Sequence, residues 1–188
     1  GASWSSFQLN LPVVPITDLA VKQNNLIAAT QGRSFWLIDD LTPLHQLNEQ
    51  VANSDHYLYK PMDSYRMDGG QRGSSATEGE NHPGGIMVNY FLKDAPDSST
   101  TVSLTFQDAT GKIIKEYSTA YASVEDDPAK GALEVEQGFN TFNWNMRYPD
   151  AKTFEGLILW GGGLNGPEAV PGTYQVILKV NDDQQEQT

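Results

Sequence analysis

Residues 138–180 decide the fold. Gly138–Ala151 reads GFNTFNWNMRYPDA and Ala169–Val180 reads AVPGTYQVILKV, with a glycine-rich connection between them. In the first run Phe142, Trp144 and Met146 recur at the two-residue period of a strand. In the second, Tyr174, Val176, Leu178 and Val180 do the same. Two strands that each present one apolar face call for a shared core, and 188 residues are enough to build one.

Working outward, Ile86–Leu92 is apolar on both faces and belongs in the middle of a sheet. Val102–Phe106 alternates, and Asp108-Ala109-Thr110-Gly111 is a hairpin turn with Gly where positive φ is needed. Lys112–Tyr117 pairs back. An acidic loop, Glu125–Gln137, leads to the strand around Trp144. This order predicts an all-β chain with an immunoglobulin-like β-sandwich over residues 86–181, beginning as early as Asp55.

Upstream, Ile16–Val21, Leu26–Thr30 and Ser34–Ile38 are strand-like runs joined by short turns. They form a three-stranded antiparallel meander within residues 1–47, because parallel strands need a longer crossover. Residues 48–85 read as a linker. It has a helical turn within Leu47–Asn53 and extended pieces at Tyr57–Pro61 and Tyr65–Met67, then a mobile loop over Asp68–Gly85. The polar tail, residues 182–188, is expected to be disordered.

A net charge of −12 argues against nucleic acid and anionic membranes, which require clustered Lys and Arg. No apolar run approaches the ~20 residues of a membrane-spanning helix. Without cysteine there is no disulfide, thiolate metal site or Cys nucleophile. The chain starts Gly-Ala-Ser without Met or a signal peptide, which reads as a piece of something longer.

The string Ala29-Thr30-Gln31-Gly32-Arg33-Ser34-Phe35-Trp36-Leu37-Ile38-Asp39-Asp40-Leu41-Thr42-Pro43-Leu44, with Pro15–Leu19 before it, resembles the closing blade of sortilin-like β-propellers. These belong to large exported bacterial proteins with neuraminidase-type (BNR) repeats, described as glycosyl hydrolases. The resemblance implies that residues 1–47 are a partial blade and that the parent is exported. Its C-terminal sandwich would be an accessory module packed on its own propeller. The string VSLTFQDATGKIIKEYS, with GFNTFNWNMR and AVPGTYQVILKV, is also similar to the immunoglobulin-like domain of flagellar hook-capping proteins. Separated from a propeller, the face of Phe35 and Leu37, or that of Trp36, calls for cover from the sandwich or from a second copy. Bare apolar faces would remove that support from the propeller parentage.

No catalytic residues emerge. Arg33 alone cannot form an arginine cluster, and beside Asp39 and Asp40 it reads as a strand-end ion pair or turn anchor. Any hydrolase site would lie in the missing propeller. Glu125, Asp126, Asp127, Glu134 and Glu136 read as solvated loop charges, with a calcium site at Asp126 and Asp127 the lesser alternative. Gly161–Pro167 lacks the Lys-Ser/Thr and following helix of a phosphate cradle, so no cofactor is implied. His45, His56 and His82 lack metal-ligand spacing, and no metal site is expected. Trp160, joined by Tyr148, is the candidate ligand-binding surface, a glycan-stacking platform in a carbohydrate-binding alternative. Core or interdomain packing is the blander role for Trp160.

Overall fold

The computed structural model describes residues 4–66, 83–121, 127–154 and 156–188. Met67, His82, Asp126 and most of the expected mobile loop therefore lie outside the described residues. The chain divides into two compact units, Gly1–His45 and Gln46–Thr188.

The first unit is an antiparallel meander of β1 (Ile16–Lys22), β2 (Asn25–Thr30) and β3 (Phe35–Ile38), in the order β1-β2-β3. Gln23 and Asn24 take positive φ in the first turn. Asn tolerates that conformation well, so the turn can be tight. The pairing places Leu19, Val21, Leu26, Ala28, Trp36 and Ile38 on one face, and Ala20, Ile27, Ala29, Phe35 and Leu37 on the other. A short helix missed in the sequence, α1 (Thr42–His45), follows where the Asp40 carboxylate accepts the Thr42 amide at 2.8 Å.

The second unit is a β-sandwich. It opens with α2 (Glu49–Asn53), where Asn48 caps the helix by accepting the Val51 amide at 3.0 Å. One sheet has the order β4-β5-β9, built from β4 (His56–Leu58), β5 (Ile86–Leu92) and β9 (Gly138–Trp144). The other has the order β11-β10-β6-β7-β8. Its strands are β6 (Val102–Asp108), β7 (Ile113–Ser118), β8 (Lys130–Ala132), β10 (Tyr174–Val180) and β11 (Asp183–Gln187). As expected, β5 is a central strand, and one sandwich strand, β4, starts close to Asp55.

The inner faces interlock. Leu58, Val88, Tyr90, Leu92 and Trp144 from one sheet meet Val102, Leu104, Phe106, Ile114, Val176 and Leu178 from the other. Trp144 stacks on Phe106 with ring centroids 4.6 Å apart at 20°. Tyr174 meets the indole edge-on at 5.6 Å. Phe142, Met146 and Val180 pack against this cluster, so the alternation read from the two deciding strands holds.

Two sequence expectations are corrected. The acidic loop contains β8, which pairs with β7 in parallel, the one parallel pairing among the described strands. Its Gly131 lies so close to the Tyr117 ring that a Cβ there would collide with it. The tail over residues 182–188 is not frayed, because β11 pairs with β10 from Val180–Asp183 to Val176–Gln187. Polarity misled here. The glutamine amides of β11 satisfy the free main-chain groups of β4 across the gap between the sheets. Gln185 accepts from the Leu58 amide at 2.8 Å and donates to the His56 carbonyl at 3.0 Å, while Gln187 donates to the Leu58 carbonyl at 3.2 Å.

Removing the Gln185 amide orphans two main-chain groups. Gln185→Ala should lower the unfolding free energy by about 1–3 kcal/mol in urea titration and speed exchange of the Leu58 amide. A second expectation concerns the hairpin turn. The Asp108 carboxylate accepts from the Thr110 hydroxyl (2.6 Å), the Thr110 amide (2.9 Å) and the Lys112 amide (3.1 Å). These bonds, the Thr110 hydroxyl first, hold its pKa below the ordinary 3.8. A folded pKa below the unfolded one stabilises at neutral pH and ceases to do so as pH falls through the folded value. Asp108→Asn should therefore be less stable at pH 7, with the difference from wild type closing below about pH 4.

Candidate functional site

The connection between β9 and β10 is a finger with a built base. Its two arms, residues 147–152 and 164–168, run side by side. The Tyr148 amide donates to the Pro167 carbonyl at 2.9 Å and the Ala151 amide to the Leu164 carbonyl at 2.8 Å. The Asp150 carboxylate accepts the Gly166 amide at 2.8 Å. Arg147 donates to the Gly166 carbonyl at 2.9 Å and reaches Glu168 Oε1 at 2.6 Å. Glu168 Oε2 takes Arg66 Nε at 2.5 Å, which ties the segment before β5 to the finger's base.

The arms press together at Gly166, where a Cβ would run into the main-chain oxygens of Tyr148 and Pro149. Gly161 meets nothing within van der Waals reach. The sequence reading of this run as a connector holds in part: the glycine that packing requires is Gly166, outside the Gly161-Gly162-Gly163 triplet.

The tip carries the large apolar side chains. Trp160 is 99% exposed and Ile158 75%, with Phe154 and Leu159 also open to solvent. Tyr148 is half-buried and packs against the sandwich core. No ring contact joins Tyr148 to Trp160 among the described residues, so the two candidate ligand residues occupy different settings, one at the finger's root and one at its tip.

A cleft of about 380 Å³ opens at one end of the sandwich, where β5 and β10 start and β6, β9 and β11 end. Met62, Ile86, Phe106, Trp144, Tyr174 and Val176 form its apolar wall. Trp144 is fully buried, and its Nε1 has no hydrogen-bond partner among the described residues. The indole forms the floor of the cleft and serves the core.

Among the described residues no group of three or more His, Asp or Glu residues could hold a metal ion. Asp127 accepts the Ala129 amide at 3.0 Å in a turn, as a loop-anchoring carboxylate does. Asp97 is held below the ordinary carboxylate value first by the Ser99 and Thr100 hydroxyls, again a turn. Burial pushes Tyr90 and Tyr117 up to about 12, which fits core packing. Arg33 forms no ion pair with Asp39 or Asp40 among the described residues. It is a turn anchor, its amide donating to Thr30 Oγ1 and its carbonyl accepting Trp36 Nε1. No helix is long and apolar enough to cross a membrane.

In the meander, Phe35 is 75% and Leu37 53% exposed, and Leu19 and Val21 on the opposite face are open too. Compared with known proteins, the chain matches no family model, no curated protein and no solved structure.

Gly166→Ala should drive the finger's arms apart and lower stability by about 1–3 kcal/mol. Gly161→Ala should stay within about 0.5 kcal/mol of wild type. Thermal unfolding of the two variants checks the contrast, and equal effects would refute the packing role.

Proposed function

We propose that the chain is a non-catalytic accessory module that works by contact with other protein surfaces. The observation that carries this is the meander, a sheet with apolar residues on both faces, several of them bare. A sheet is stable in water when one face is covered; a sheet apolar on both faces is an inner layer. Its cover must come from other chain segments or other molecules. The parent suggested by the string Ala29–Leu44, independently of those bare faces, is a large exported propeller protein of the sortilin-like, BNR-repeat kind, with the immunoglobulin-like sandwich as its accessory domain. Any glycoside hydrolysis by that parent would belong to its propeller.

A second reading is favoured by one side chain. Trp160, bare at the finger tip, is a ring on which a sugar could stack, the arrangement of a carbohydrate-binding module. Tyr148 does not extend that platform. Titration with oligosaccharides, followed by tryptophan fluorescence and by NMR, decides it; the absence of any shift at millimolar sugar ends this reading.

The main reading is tested by carbene footprinting of the chain alone and within its full-length parent. Leu19, Val21, Phe35 and Leu37 should label strongly in the chain and become protected in the parent. Equal labelling in both would defeat the packing role. Turnover of chromogenic glycosides by the chain alone would defeat its non-catalytic character.

A further inference from the structure

The finger tip has two properties that together select its occupant. Its side chains are apolar on successive positions, Leu157, Ile158, Leu159 and Trp160, so either side of the segment is apolar when it is extended. Its main chain is also open: among the described residues no hydrogen bond within the chain involves the peptide groups of Ile158–Gly163, and the flanking bonds are Leu157 donating to the Phe154 carbonyl at 3.2 Å and Leu164 accepting the Ala151 amide at 2.8 Å. An exposed apolar segment whose peptide groups bond only to water can take a strand as its neighbour.

A lipid surface fits this poorly. Burying the tip in hydrocarbon would strip water from those peptide groups and leave them unpaired. The net charge of −12 also repels anionic membranes. A second strand satisfies both properties at once, since it covers the side chains and pairs the main chain.

We infer that the finger tip is a self-association site, in which Leu157–Trp160 of one copy pairs antiparallel with the same segment of a second copy about a two-fold axis. Identical segments are self-complementary in that arrangement, and one patch serves both partners. The charge distribution restricts where such a contact can form. Two chains of −12 repel each other over most of their surfaces, while Leu157–Gly166 carries no charged residue. Contact is thus concentrated where repulsion is weakest, and added salt should strengthen association by screening the rest. The area sets the strength. Trp160, at about 150–250 Å² per copy, with Ile158 and Leu159, keeps the interface at or below roughly the 1,000 Å² threshold of specific association. The dimer is therefore weak and reversible, with a Kd of roughly 10–500 μM. This site is separate from the meander, so it stands whether or not the packing role above survives.

Sedimentation equilibrium of the whole chain from micromolar to millimolar concentration should show a monomer–dimer equilibrium that tightens between low and high salt. Trp160→Ala and Ile158→Lys should each weaken it at least tenfold. Leu159→Pro, which removes a main-chain donor, should weaken it far more than Leu159→Ala. All three positions are at the tip, and unchanged near-ultraviolet circular dichroism establishes that the fold is intact. A monomer at millimolar concentration overturns the inference. So does a dimer abolished by Phe35→Ser with Leu37→Thr but untouched by the tip variants, since that places the contact on the meander. A dimer sensitive to Trp160→Ala but indifferent to Leu159→Pro overturns strand pairing. A blue shift of Trp160 fluorescence on phosphatidylcholine vesicles, with no dimer in solution, assigns the tip to lipid.

Discussion

The stack of Trp144 on Phe106 is the contact on which the sandwich depends. It joins the end of β9 in one sheet to β6 in the other, 4.6 Å between ring centroids, with Tyr174 at the start of β10 closing the indole edge. Gly85, at the entrance to β5, must lack a side chain because the Trp144 carbonyl occupies the space a Cβ would need. Two residues beyond the indole, Met146 turns through positive φ and accepts the Ala169 amide. The finger's arms diverge from there. The position of the exposed tip is thus inherited from a buried ring whose own indole nitrogen reaches no partner among the described residues.

What the sequence revealed, it revealed through periodicity. β6 and β10 were readable by alternation and β5 by its apolar run, because each places three or four apolar side chains into one core, while β9 contributes Phe142 and Trp144. The Asp108–Gly111 turn was readable because its chemistry is local: a carboxylate capping two amides and a glycine at φ +81°. The elements that escaped lacked such a signal. Lys130-Gly131-Ala132 is too short to alternate, and its place beside β7 is set by the Tyr117 ring over Gly131. The strand Asp183–Gln187 looked like a tail because its side chains are all polar. Its order comes from main-chain pairing and from amide bonds to residues 127 or more positions away.

The candidate site was legible only in outline. A lone tryptophan in a sequence reads first as bulk for a core or an interdomain seam, yet the ring of Trp160 is exposed. Its pairing with Tyr148 rested on nearness in sequence, and the finger's clasped arms separate root from tip. Glu168 drew no notice in the sequence, since a lone glutamate in a connection has no pattern. Its importance comes from two arginines converging on it from distant segments.

The seam between β4 and β11 has an architectural consequence. Gln46 brackets Lys60 through both its amide and its carbonyl, at 3.0 and 2.8 Å, and Gln187 reaches Leu58. Side-chain amides therefore stitch the segments at β4 to the end of β11. This edge of the sandwich comes apart as one unit: loosening β11 also frees the main chain of β4.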